Sequence, residues 1–231
     1  MELATARILL VLHELEEIQD HRTFPVRMNF ETGRPRGAPL LRGSELQPKR
    51  EVGMGKCNCG RAPKDGVLTF DVGAHTHQIG GQWTAHSPKT FHITNGWSSM
   101  GFGLPSAIAS KLAEPEKPVV CVLGDGCFQM TCGEVAVAKR MGIALPIVVL
   151  DDKWLGLIKV KQIRRQFPLY GTELQEEDYT EPPAHYFGVP AVGVRSAEAL
   201  ENAVKKALSA KGPTVIEAVV DSEHYVDTVY D

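Results

Sequence analysis

A chain of 231 residues, 43% hydrophobic and 23% charged, has the composition of an ordinary globular protein and is long enough to bury a sizeable core. Its formal net charge of -3 and pI near 6.2 provide no basic field, and no Lys/Arg cluster interleaves with aromatics, which excludes nucleic acid as the expected partner. No apolar stretch approaches the roughly 20 residues that cross a bilayer, and the five cysteines form no even disulfide framework, so no membrane role is expected and a reducing cytoplasm is.

In chain order, the apolar run Ile8 to Leu12 is flanked by Glu2, Glu14, Glu16 and Glu17, without a cationic leader, and reads as part of an amphipathic helix whose apolar face extends over Ile8 to Leu15. From about His21 to Arg61 the chain is rich in Pro, Gly and Arg with no sustained period, and reads as an extended connector. Residues 1–45 are therefore assigned to an N-terminal helix and connector, and residues 46–231 to one domain. Within the connector, Cys57 and Cys59 invite a metal reading, but a cluster or structural zinc needs four ligands. The other cysteines, Cys121, Cys127 and Cys132, fall on a core strand, a turn and a helix, so free thiols are expected.

After Lys64 the texture changes to short β-branched runs, VLTFDVG, TFHITN, VVCVLGDG, PIVVLDD, AVGVRS and TVIEAVVD, separated by helix-like segments. Small and apolar residues at helical spacing mark GFGLPSAIASKLAEP, CFQMTCGEVAVAKRMG and SAEALENAVKKALSAKG as helices. The alternation predicts an α/β fold: a doubly wound, mostly parallel six-stranded sheet with helices on both faces. In such sheets ligands bind outside the carboxyl ends of the strands, so the residues closing each apolar run carry the functional expectation.

A strand over Val119 to Leu123, a helix over Phe128 to Met141 and a returning strand over Ile147 to Leu150 place Asp125 and Asp152 at one edge. Two converging carboxylates repel unless a hard cation lies between them, whereas the helix N-terminus beside them favours an anion. A diphosphate on Mg²⁺ meets both demands, with Gly124 and Gly126 permitting close backbone approach.

Gly-Asp-Gly, 24 intervening residues and a polar pair resemble the signature of thiamin-diphosphate enzymes. DVGAHTHQIGGQW and NGWSSMGFGLPSAIASKLAEP resemble, in order, two segments of their acetolactate-synthase-like members. The resemblance spans roughly Leu46 to Asp231 and implies the diphosphate-binding domain of that superfamily, with thiamin diphosphate and Mg²⁺ as cofactors. It implies that the Asp125 and Asp152 side chains and the Trp154 carbonyl ligate Mg²⁺. Gly126, Cys127, Leu155 and Gly156 would lie near the diphosphate through backbone N–H groups, and Gly73, Ala74 and His75 match a second phosphate-side loop. Met100 matches the apolar residue that presses under the thiazolium, and Ser98 the backbone carbonyl that accepts from the 4′-amino group. Asp151-Asp152 replaces the family's usual Asn-Asn, Ala74 its frequent Gln, and Ser98 its usual Gly.

In the family a catalytic glutamate comes from a separate pyrimidine-binding domain. The stretch before Leu46 is too short and lacks alternating strands for one, so either the chain is one subunit of a split enzyme, with the glutamate on a partner chain, a pyrimidine-domain subunit, as is expected here, or it is a fragment of a longer protein. The resemblance implies a lyase or carboligase acting on a 2-oxo acid or related acyl donor. Two alternatives are the beta subunit of a 2-oxo acid oxidoreductase and a non-catalytic assembly or regulatory homologue.

Overall fold

The computed structural model describes residues 65–83, 85–94, 96–174, 187–222 and 225–229. The N-terminal helix, the connector and the Cys57/Cys59 pair lie outside the described residues.

Among the described residues six strands form one sheet: β1 (Val67–Phe70), β2 (Phe91–His92), β3 (Val119–Gly124), β4 (Leu145–Asp151), β5 (Ala191–Val194) and β6 (Pro213–Val219). Their order is β2-β1-β3-β4-β6-β5 and every pairing is parallel, so the expected sheet, anticipated as mostly parallel, is wholly so. The connecting helices are α1 (Ala74–Gln82), α2 (Gly103–Ala113), α3 (Asp125–Thr131), α4 (Val135–Arg140), α5 (Gly156–Arg164), α6 (Ala197–Leu208) and α7 (Tyr225–Thr228).

The strands read as continuous apolar runs because both faces are covered. Leu68, Phe70, Val122, Val148, Leu150, Ile216 and Ala218 pack on one face against Ile79 of α1 and against Leu200 and Val204 of α6. Their neighbours Val67, Cys121, Leu123, Ile147, Val149 and Val215 point to the other face. There they meet Leu104 and Ile108 of α2, Phe128 of α3, and Val135 and Ala138 of α4. Burying side chains of this size stabilises by about 1.5–3 kcal/mol each, which is why the period-2 partition between the two cores fixes strand register. A third, smaller cluster joins Ala74, Val160, Tyr225 and Val229, and so ties α1, α5 and α7 together beyond the ends of the strands.

The single helix expected over Phe128 to Met141 is broken. α3 begins three residues earlier, at Asp125, on an extended Gly124 cap, and a 3₁₀ turn over Cys132–Glu134 separates it from α4. Gly133 at the break contributes no side chain to hold helix, and the Thr131 hydroxyl donates back to the Cys127 carbonyl at 3.3 Å, a contact that bends helices. The earlier start matters for the site, since it puts Asp125 in the first helical turn.

β1 and β3 are neighbours, but the chain leaves β1 towards β2 and leaves β3 towards β4, in opposite directions. A crevice therefore opens at their carboxyl ends, the switch point where doubly wound sheets take ligands.

Candidate active site at the sheet switch point

A cavity of about 200 Å³ occupies that crevice. Every site residue selected from the sequence lines it: Gly73, Ala74, His75, Ser98, Met100, Gly124, Asp125, Gly126, Cys127, Asp152, Trp154, Leu155 and Gly156. Val72, Leu157 and Ile158 complete the wall.

The first wall follows β1. Asp71, fully buried, accepts from the Val72 N–H at 2.9 Å, from the Gly101 N–H at 3.0 and 3.1 Å and from the Gly103 N–H at 3.0 Å. One carboxylate thus fastens the Ser98–Gly103 turn to the end of β1. Gly103 permits the approach, because a Cβ there would meet the Asp71 backbone nitrogen at 3.2 Å. Within the turn Ser98 takes φ 51°, left-handed backbone that glycine adopts without penalty. The chain thus keeps the turn that the resemblance assigns to glycine. Met100 reaches across the cavity until its terminal methyl lies 3.4 Å from where a Gly126 Cβ would stand.

His75 packs its ring in the space that side chains on Gly73 and Gly124 would invade, at 2.7 and 3.4 Å. Burial lowers its pKa to about 4 against the opposing pull of Asp71, so the ring is neutral at physiological pH. Its Nε2 is buried without a protein hydrogen-bond partner. A buried polar nitrogen of this kind costs free energy until a ligand or water satisfies it.

The second wall joins β3 to β4. Asp125 accepts from the Gly126 N–H and, through its other oxygen, from the Lys153 N–H, both at 2.7 Å. Lys153 sits at φ 67°, and its N–H also reaches Asp151 at 3.2 Å. This left-handed joint folds the end of β4 back over the β3 turn and brings Asp152 beside Asp125. Asp152 in turn accepts from the Trp154 N–H at 2.8 Å. Lys153 and Leu155 pair with Leu174 and Thr172, which fixes the backbone on either side of the Trp154 carbonyl, and Lys159 lies 3.7 Å from the Trp154 ring centre.

The electrostatics call for a cation. Burial, and then the Asp152 charge, push Asp125 up to about 7. Burial pushes Asp152 to about 6 against the Trp154 N–H, the Tyr225 hydroxyl and Lys159, which favour its ionised form. Behind them, burial and a hydrogen bond with Glu217 raise Asp151 to about 8. A divalent ion held by Asp125 and Asp152 would replace the lost hydration and offset their repulsion. Together with the unsatisfied His75 nitrogen and the glycine-lined walls, these acids fit a metal diphosphate.

Two backbone donors expected at the diphosphate are already engaged. The Leu155 N–H donates to the Thr172 carbonyl at 2.7 Å, and the Gly126 N–H to Asp125. The sequence reading also assigned no role to Asp71, Asp151, Glu217 or Tyr225. Asp71 and Asp151 carried a signal, an acidic residue closing an apolar run; Glu217 and Tyr225 reach the site only through tertiary packing.

Residues 71–218 match the family described as thiamine pyrophosphate enzyme, C-terminal TPP binding domain. The chain is 34% identical over 167 residues to the acetolactate synthase isozyme 2 large subunit of Escherichia coli K12, covering 70% of this chain and 30% of that protein. It is 32% identical over 158 residues to an acetolactate synthase of Arthrospira platensis, covering 68% of this chain and 27% of the relative. Among solved structures, the thiamine diphosphate-dependent 4-hydroxybenzoylformate decarboxylase of Rhodococcus jostii RHA1 shares the fold. Its TM-score is 0.62 at 24% identity, over 69% of this chain and 30% of that one. The chain therefore spans less than a third of the length of these relatives. With the match covering most of the described domain, the chain belongs to the thiamine pyrophosphate enzymes and carries their C-terminal cofactor-binding domain, which takes thiamin diphosphate with Mg²⁺.

Proposed function

We propose that this chain is the diphosphate-binding part of a thiamin-diphosphate and Mg²⁺-dependent lyase or carboligase that acts on a 2-oxo acid or related acyl donor, its active site completed by a partner chain with a pyrimidine-binding domain. The observation that carries the reading is the convergence of Asp125 and Asp152, both raised by burial, on a cavity walled by His75 and Met100. The relatives named acetolactate synthase support the reaction class.

Asp125, Asp152 and the Trp154 carbonyl would hold the ion. Gly73, Ala74, His75, Cys127 and Gly156, which line the cavity, would surround the diphosphate, with His75 Nε2 available as a side-chain contact. Gly126 and Leu155 contribute shape rather than N–H donors, because those donors are engaged. The bound cofactor would supply a nucleophilic carbon and an electron sink for chemistry at a carbonyl group. Met100 would support it and the Ser98 carbonyl would orient its amino group, with Leu157 and Ile158 lining the cavity beside them.

The departures at Asp152 and Ser98 are compatible with retained binding. Asp152 keeps an oxygen ligand and adds a charge that Lys159 and the Trp154 N–H offset. Ser98 keeps the left-handed turn.

The pKa shifts give a sign for metal binding. Asp152 and Asp125 lose their protons near 6 and 7 rather than in the ordinary carboxylate range. Metal binding below those values must displace protons, so Mg²⁺ affinity rises as pH increases from about 5.5 to 8, by up to about ten-fold per unit for each proton released. The metal-free fold runs the opposite way: its raised carboxyl pKa values mean stability lost as pH climbs from about 4 through 7. Calorimetric titration of Mg²⁺ across this range in two buffers of different ionisation heat measures both the affinity and the protons released.

Co-expression with a pyrimidine-domain chain, followed by native mass spectrometry and assay of 2-oxo acid turnover, tests the whole reading. A hetero-oligomer holding thiamin diphosphate and releasing CO₂ or a ligated product is expected. An iron–sulfur absorption band would favour the oxidoreductase alternative, and a chain that binds no cofactor the non-catalytic one.

A further inference from the structure

We propose that Tyr225, on the C-terminal helix α7, is a positioning residue that orients the Asp152 carboxylate towards the cation, and that Arg164 holds α7 in place for it. The proposal rests on the reading of Asp152 as a metal ligand.

Asp152 has two oxygens to aim. One is fixed by the Trp154 N–H at 2.8 Å. The other, Oδ2, lies 3.0 Å from the point where a Gly156 Cβ would stand, and the Tyr225 ring edge lies 2.9 and 3.1 Å from that same point. Carboxylate and phenol ring thus share the one space left by the missing side chain of Gly156. There the phenol hydrogen-bonds to Asp152. A phenylalanine would fill the cluster of Ala74, Val160 and Val229 equally well, so packing alone does not call for the hydroxyl.

The strut that carries Tyr225 is pinned independently. Arg164, in the last turn of α5, donates from one guanidinium nitrogen to the carbonyls of Val226 and Val229, both at 2.6 Å. α5 begins at Gly156, against Asp152, and ends at Arg164. The same helix therefore makes room for the phenol at one end and fastens its carrier at the other. A ligating carboxylate held by outer hydrogen bonds loses less freedom on binding metal, and removing such a partner typically costs about 10–100-fold in affinity.

The test is Mn²⁺ titration of the full chain, followed by the paramagnetic resonance signal of the free ion, with thiamin diphosphate present. Tyr225→Phe is expected to weaken Mn²⁺ binding about ten-fold while the thermal midpoint of the metal-free chain stays close to wild type. In an Asp152→Asn background the same change should add little, because the phenol acts through the carboxylate. Arg164→Gln, which loosens α7 without touching the cavity, should shift affinity in the same direction and carries the test if Tyr225→Phe does not fold. Wild-type affinity in Tyr225→Phe, or a full ten-fold loss persisting in the Asp152→Asn background, overturns the proposal alone. A wild-type chain that takes up no Mn²⁺ overturns both it and the reading of the site.

Discussion

Replacing Asp125 with alanine abolishes Mg²⁺-dependent binding of thiamin diphosphate, with an expected loss of more than about 100-fold, beyond what removal of an outer partner costs. The residue supplies one of two carboxylates beside the cavity and also receives the Gly126 and Lys153 N–H groups at 2.7 Å, so it both holds charge and joins the β3 turn to the end of β4. Asparagine separates the two roles. Asp125→Asn keeps an oxygen for one backbone donor and removes a charge whose burial is unfavourable, as its pKa near 7 records. At pH 8 the metal-free Asn variant should therefore melt no lower than wild type, whereas its metal and cofactor affinity should fall nearly as far as that of the alanine variant. Thermal melts with and without Mg²⁺, beside calorimetric titration of the cofactor, separate these effects. An unchanged titration in either variant contradicts the assignment.

The largest expected effect on stability comes from Asp71. Its buried carboxylate is the shared acceptor for three backbone N–H groups, those of Val72, Gly101 and Gly103. Alanine leaves those donors facing one another with no acceptor, and losing a buried charged acceptor of this kind costs about 3–5 kcal/mol. Asp71→Asn retains one acceptor oxygen but turns an amide towards the donors, and should cost roughly half as much. Because the same bonds hold the turn that carries Ser98 and Met100, cofactor affinity should fall in step with stability even though Asp71 is not among the residues lining the cavity. Denaturant midpoints for both variants check the size. A loss below about 1 kcal/mol for Asp71→Ala would mean that the turn is held by its packing instead.

The strands were legible because a parallel sheet covered on both faces demands unbroken apolar runs, and each such run ends where the sheet ends. That is why Asp125 and the Asp151-Asp152 pair are conspicuous in the sequence, whereas Asp71, which closes the first run in the same way, is passed over. α5 was less legible: its basic, β-branched stretch KVKQIRR has no long apolar stripe, since the helix buries only Gly156 and Val160. α1 carries two glycines and two histidines and packs chiefly through Ala74, His75 and Ile79. The break between α3 and α4 shows a local competition that helical periodicity overlooks, with Gly133 and the Thr131 hydroxyl both working against continuation.

Glu217 and Tyr225 mark a different boundary. Glu217 resembles the polar face of an edge strand, yet β6 lies between β4 and β5, and the residue is 1% exposed beneath the site. Tyr225 follows the last strand by only a few residues, but its tie to Asp152 depends on where α5 and α7 cross, a relation no linear spacing encodes.

Anomalous diffraction from crystals of this chain grown with Mn²⁺ and thiamin diphosphate addresses the central claim most directly. A metal peak between the carboxylates of Asp125 and Asp152 is expected. A diphosphate seated in the cavity with no metal between those two acids, or a metal bound elsewhere, would contradict it.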